Sequence, residues 1–273
     1  RVMAETRLKA QLKSASESKI AALLKQMTIE EKVGQMAQVS IESLGGWKER
    51  KFRFSDKLND AVVNYKISSI LNTPGLQSVE EWNRLLSEMQ DAAKKTRLHI
   101  PVLYGLDNVH GVSYVAGATL FPQQIGMAAT FSRQLVYDAA VITAYESRAA
   151  GVPWTFSPVL DLGTNPVWSR TWEGFGQDPY LVNELGKAAV KGYQDPLSSK
   201  EKIAVSLKHY MAYSDPKSGK DRSDAWIPEH YLREYHLPPF AGAVKAGAST
   251  VLVNSGLING IPTHVNRHIR TDI

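Results

Sequence analysis

Short apolar runs in this chain stop repeatedly at groups that can do chemistry. Residues 102–106 lead straight into Asp107, Asn108 and His110, and residues 203–207 lead into Lys208 and His209. Residues 250–253 end at Asn254, and Asp161 with the segment carrying Arg170, Trp172 and Glu173 follows the apolar run 152–159. One Asp after a strand is more often a helix cap or a turn former than a ligand group. Recurrence of acids and bases at the same end of successive strands is what points to a site. The mixture suits a polyhydroxylated ligand: a carboxylate accepts from neighbouring hydroxyls while Arg, Lys and His donate, and such charge-assisted bonds are about twice as strong as neutral ones. Trp154, Trp168, Trp172 and Trp226 offer apolar faces for a sugar ring, with at least two of them expected in the core. His110, His209 and His230 lack a compact ligand spacing, so no metal site is expected. Lys208 alone has the placement for Schiff-base chemistry, because a lysine at a barrel strand end attacks carbonyls when its amine is freed.

The elements that must position these groups alternate. Strands are predicted over 33–39, 67–71, 102–106, 152–159, 203–207 and 250–253, separated by helical patterns. Thr28–Glu31 and Ser78–Glu81 have the spacing of capping boxes. Ser132 caps a helix carrying Leu135, Val136, Ala139, Ala140 and Ala144, and Gly151 stops it. Asp178-Pro179 starts a helix through Lys191. Residues 228–235 and 240–246 read as helices broken by Pro238-Pro239. Strands alternating with helices give a parallel sheet, and no glycine-rich phosphate loop follows any strand. The expected fold is α/β, a (β/α)8 TIM-type barrel with about six of its eight βα units present. Residues 1–27 form a leading helix, and 28–273 the incomplete barrel domain.

Composition removes several classes. The 273 residues hold no cysteine, which excludes disulfides, thiolate metal sites and cysteine nucleophiles. No apolar run reaches the length of about 18 residues that a membrane span requires. Net charge is +5, with basic and acidic residues interspersed except at 48–53 (Lys-Glu-Arg-Lys-Phe-Arg). That run is expected to be a solvated loop rather than a nucleic-acid patch.

Several motifs together resemble glycoside hydrolase family 3. They are Gly105-Leu-Asp-Asn-Val-His-Gly111 with Gly117-Ala-Thr-Leu-Phe-Pro-Gln-Gln-Ile-Gly126; Phe156-Ser-Pro-Val-Leu-Asp161; Arg170-Thr-Trp-Glu-Gly-Phe-Gly-Gln-Asp-Pro179; Lys208-His-Tyr210; and Asn259-Gly-Ile-Pro262. The resemblance runs from about Met27 to the last residue and is greatest to β-glucosidases and exo-acting β-glucanases. It implies an N-terminal barrel, usually followed by an αβα sandwich domain, and cleavage with retention of anomeric configuration. By resemblance, Asp107, Arg170, Lys208 and His209 bind the sugar in the −1 subsite, and Asp161 and Glu173 orient Lys208 and Arg170. The segment Lys-His-Tyr-Met-Ala-Tyr-Ser from Lys208 departs from the N-acetylhexosaminidase pattern of the family and favours glucosidase or xylosidase activity. The family nucleophile, an Asp in Ser/Thr-Asp-Trp, is expected beyond residue 273, and the general acid/base in the second domain, so no catalytic carboxylate is expected here. The implied activity is release of glucose from the non-reducing ends of β-glucosides and β-glucans. The expected partners are a β-linked glucoside and a C-terminal part of the same enzyme, with no cofactor, nucleic acid or membrane; the resemblance hints at a periplasmic or secreted protein. The competing expectations are a non-catalytic sugar-binding module and a Schiff-base lyase using Lys208.

Overall fold

The computed structural model describes residues 16–273, in two compact units. One runs up to Leu71 and includes Ser87–Leu103; the other holds Asn72–Leu86 and Tyr104–Ile273. Of the leading helix expected over 1–27, residues 16–26 are helical and 1–15 lie outside the described residues.

In the first unit, Thr28 starts helix α1 (Ile29–Gln35) through a complete capping box. Its hydroxyl accepts from the Glu31 amide at 3.2 Å, and Glu31 Oε2 accepts from the Thr28 amide at 2.9 Å. Arg97 donates to both Glu31 oxygens, at 2.6 and 3.1 Å. Once a capped turn exists, adding residues to it costs little, and α1 takes 33–35 out of the strand expected over 33–39. Strand β1 is therefore only Gln38–Ser40, parallel to β2 (Ser69–Leu71) with Val39 opposite Ile70. The basic run 48–53 is not an irregular loop. It forms the tip of a hairpin, Gly45–Lys48 against Lys51–Phe54, turning at Glu49 and Arg50 with φ of 49° and 63°, the paired positive φ of a type I′ turn.

The second unit carries the parallel strands that end at the candidate groups: β3 (Leu103–Leu106, all but its first residue), β4 (Trp154–Thr155), β5 (Ala204–Tyr210) and β6 (Thr250–Val253). Gly105 faces Trp154, Trp154 faces Ala204, and Ser206 faces Thr250. Helix α2 (Val79–Ala93), shared between the units, precedes β3, and Ser78 Oγ accepts from the Glu81 amide at 3.3 Å at its start. Helix α3 (Arg133–Ala149) joins β3 to β4 and α4 (Pro179–Gln194) joins β4 to β5; Ser132 and Asp178 cap them by accepting from the amides of Leu135 and Leu181. Parallel neighbours joined through helices are the repeating unit of an α/β barrel, and the fold class is that of a partial (β/α)8 barrel.

Two expectations change in detail. The run 152–159 pairs as a strand only at Trp154–Thr155, because Pro158 has no amide to give the ladder; contact with β5 resumes where Val159 bridges Lys208. Pro238 and Pro239 do not break the helix before β6. Glu229–Tyr231, a wide turn over Leu232–His236 and Leu237–Lys245 run on as one helical stretch, α5. The prolines fall in the first turn after the wide one, where missing N–H groups do least harm.

The core of this unit joins Val136, Ala140 and Ala144 of α3, Val182, Leu185 and Ala189 of α4, Val205 and Leu207 of β5, and Ile203 just before that strand. Small residues let α3 and α4 approach closely: a Cβ on Gly192 would stand 2.5 Å from the Tyr137 carbonyl oxygen.

Candidate functional site

Strand β5 delivers the centre of the site. Lys208 and His209 are both buried, 4% and 6% exposed. Lys208 Nζ donates to Asp107 Oδ1, so the group after β3 and the group at the end of β5 meet as an ion pair. Asp107 remains 41% exposed at its side chain and keeps an oxygen on the solvent side. His209 is held by Asp161, whose Oδ2 accepts both the His209 amide at 3.1 Å and the ring Nδ1 at 2.7 Å. The expected partner of Asp161 is Lys208; the structure gives Asp161 to His209 and Lys208 to Asp107.

Arg170 closes the cluster. Glu173, three residues on and in the same short helical turn (Thr171–Glu173), accepts Nε at 2.8 Å and Nη2 at 2.7 Å. This bidentate fork is the strong form of the pair. Burial by itself would lower the guanidinium pKa, but Glu173 outweighs it and holds Arg170 above its ordinary value. Arg170 Nη2 also lies 3.2 Å from His209 Nε2, and Nη1 donates to the Tyr213 hydroxyl at 3.3 Å. Arginine offers only donors, so His209 Nε2 accepts and the ring proton sits on Nδ1, facing Asp161. The side-chain bonds form two groups, Asp107–Lys208 and Asp161–His209–Arg170–Glu173, which meet at the adjacent residues Lys208 and His209 of β5.

Below this set lies a buried polar scaffold. Asn108 Nδ2 donates to Ser147 Oγ at 3.1 Å, and Tyr193 donates its hydroxyl to the Asn108 carbonyl at 3.1 Å. Burial pushes the Tyr193 hydroxyl up to about 12, so it remains a donor. Gln124 brackets Val159 like a strand partner, donating to its carbonyl at 2.8 Å and accepting its amide at 3.0 Å.

Other candidates stay out of the cluster. His110 lines a small cavity of about 30 Å³ with Phe121, Phe175 and Tyr193. Asn254 is 1% exposed; it donates to the Met211 carbonyl at 2.9 Å and accepts the Gly256 amide, closing the turn after β6. Trp168 is buried, whereas Trp172 and Trp226 are exposed. Among the described residues, no group of three or more His, Asp or Glu side chains could hold a metal ion, and no helix is long and apolar enough to cross a membrane. Tyr213 is the member to which the sequence gives no role of its own: it lies in the segment that starts at Lys208, but nothing there marks it as a partner of Arg170.

Chemically, the cluster presents donors held in place by ion pairs and one carboxylate that remains open to solvent. Its fold is an α/β barrel portion with the polar groups at the carboxyl ends of the strands, where barrel sites lie. Residues 28–273 match the N-terminal domain of glycosyl hydrolase family 3, and the chain belongs to that family. It is 40% identical to a lysosomal beta glucosidase of Dictyostelium discoideum over 95% of this chain and 34% of that protein. Among solved structures, the exo-1,3/1,4-beta-glucanase ExoP of a Pseudoalteromonas species superposes with a TM-score of 0.84 at 30% identity, over 94% of this chain and 32% of that one. A Listeria innocua beta-glucosidase in complex with glucose superposes with a TM-score of 0.80 at 29% identity, over 93% and 35%. The chain thus spans about a third of the length of the proteins it resembles.

Proposed function

We propose that the whole protein is a retaining, exo-acting β-glucosidase that releases glucose from the non-reducing ends of β-glucosides, and that this chain supplies the grip on the terminal sugar. The observation that carries the reading is the convergence of Asp107, Arg170, Lys208 and His209 from three separated segments, as two bonded groups that meet at the adjacent Lys208 and His209. Asp107 accepts from sugar hydroxyls through its exposed carboxylate. Lys208, and the Nη1 hydrogen that Arg170 does not give to Tyr213, donate to neighbouring ones. Fixed charge of this kind also suits a transition state with oxocarbenium character.

Retaining cleavage needs two carboxyl groups about 5–5.5 Å apart, one to attack the anomeric carbon and one to protonate the leaving oxygen. Every acid of the cluster already has a partner: Asp107 has Lys208, Asp161 has His209 and Glu173 has Arg170. The resemblance to the family places the nucleophilic Asp and the acid/base Glu in residues beyond Ile273 of the whole enzyme, and the pairing of these three acids is compatible with that reading. A Schiff-base role for Lys208 finds no support, because a carboxylate partner is the opposite of the setting that frees a lysine for attack. The same commitment of all three acids favours sugar binding without hydrolysis for this chain taken alone.

Titration of the whole protein with gluconolactone, a flattened sugar, tests the grip. Asp107→Ala removes the open carboxylate and leaves Lys208 unpaired, so affinity should fall by about 10–100-fold. Wild-type affinity in Asp107→Ala, or absence of β-glucoside turnover by the whole protein, overturns the reading.

A further inference from the structure

Glu173 fixes Arg170 only to its own loop, since the two residues lie three apart in one turn. What sets that loop against the end of β5 is a second layer of contacts, and we infer that Tyr213 is a positioning residue that fixes the direction in which Arg170 meets the sugar. The inference rests on the sugar-grip reading above.

Arg170 Nη1 donates to the Tyr213 hydroxyl oxygen at 3.3 Å. Trp168, which packs against the Tyr213 ring, is held in turn by donating Nε1 to Asp221 at 3.0 Å.

Ring contacts fix the same atoms sideways. The Tyr213 ring lies 4.7 Å from the His209 ring and edge-on to Trp168 at 5.4 Å, and the guanidinium carbon of Arg170 stands 5.4 Å from the Tyr213 centroid. Tyr213 therefore touches both members of the Arg170–His209 contact. The loop carrying Asp221 is tied to the loop carrying Arg170 independently, by Asn165 Nδ2 donating to the Pro216 carbonyl at 2.9 Å. Tyr213 does not have to meet the sugar; it acts through Arg170.

The test uses the whole enzyme, with an aryl β-glucoside as substrate and gluconolactone as inhibitor. Tyr213→Phe keeps the ring and deletes only the hydroxyl. It should raise the gluconolactone inhibition constant about tenfold and lower kcat/KM in parallel, with the thermal midpoint retained. Arg170→Lys serves as the reference for a lost grip. If Arg170→Lys weakens gluconolactone and Tyr213→Phe does not, the positioning role is refuted while the grip stands. If Arg170→Lys binds as wild type, the grip itself falls and the positioning role with it. A loss of activity that follows only the amount of folded protein, at an unchanged inhibition constant, also refutes the positioning role.

Discussion

Glu173→Gln separates what holds Arg170 in place from what Arg170 holds. The carboxylate takes Nε at 2.8 Å and Nη2 at 2.7 Å, with side chains 13% exposed for Glu173 and 23% for Arg170. Glutamine keeps the length and one acceptor, but it turns an amide nitrogen, a donor, toward a guanidinium N–H. One bond of the fork is lost, and the other loses its charge assistance. Breaking a fully buried pair costs about 3–5 kcal/mol and an exposed pair contributes about 0–1 kcal/mol. Exposure of about a quarter at Arg170 places this pair between them, at about 2 kcal/mol. With Glu173 neutralised, the burial that disfavours the charged guanidinium acts with less opposition. The cost then has two places to fall. If Arg170 stays beside His209 and Tyr213, folding stability carries it. If Arg170 swings toward water, stability is regained and sugar affinity carries it, as about a 30-fold rise in Kd. Urea unfolding and gluconolactone titration on the same preparation of the whole enzyme should together account for about 2 kcal/mol. A variant that unfolds at the wild-type urea midpoint and binds gluconolactone with wild-type affinity would refute the assignment of Glu173 as the holder of Arg170.

Two further outcomes follow from the packing around the site. Gly192→Ala sets helix propensity, which favours alanine by about 1 kcal/mol, against a Cβ that would lie 2.5 Å from the Tyr137 oxygen and 2.7 Å from the Ala140 Cβ. Overpacking costs about 1–3 kcal/mol and backbone cannot step aside as a flexible side chain can, so the urea midpoint should fall; a rise would show that α3 and α4 separate freely. His236 is 2% exposed and 3.9 Å from Asp215, and burial holds its imidazole pKa below the ordinary value despite the opposing pull of Asp215 and Asp161. The unfolded chain therefore takes up a proton near about pH 6.5 that the folded chain refuses. Stability present above that pH is lost as the pH falls toward the lower folded value. His236→Gln should lose less stability than wild type between about pH 7.5 and about pH 5, measured by urea midpoint, and an equal loss in both proteins would refute the assignment.

How far the site can be read from sequence depends on how local each contact is. Arg170 and Glu173 are three residues apart, and the strand ends at Asp107 and Lys208 show wherever an apolar run stops at a charge. The partner of Asp161 is less accessible. It lies 48 residues away, and choosing between the adjacent Lys208 and His209 requires the local geometry of β5. A strand of period two would settle that choice, but the ladder to β6 shifts register between Leu207 and Tyr210, so alternation gives no answer there. Tyr213 is hidden for a related reason: its link to Arg170 spans 43 residues and joins two loops. Pro238-Pro239 misleads because the wide turn before it supplies the slack that a regular helix lacks. Asn254 is the most instructive case, since in sequence it resembles Asp107, a polar residue directly after a strand. It is 1% exposed and spends its amide on Met211 and Gly256, whereas Asp107 is bound through one oxygen and 41% exposed at its side chain. Residue type at a strand end thus nominates both; unspent hydrogen-bonding capacity facing solvent is what separates Asp107, which stays a candidate ligand group, from Asn254, which holds a loop.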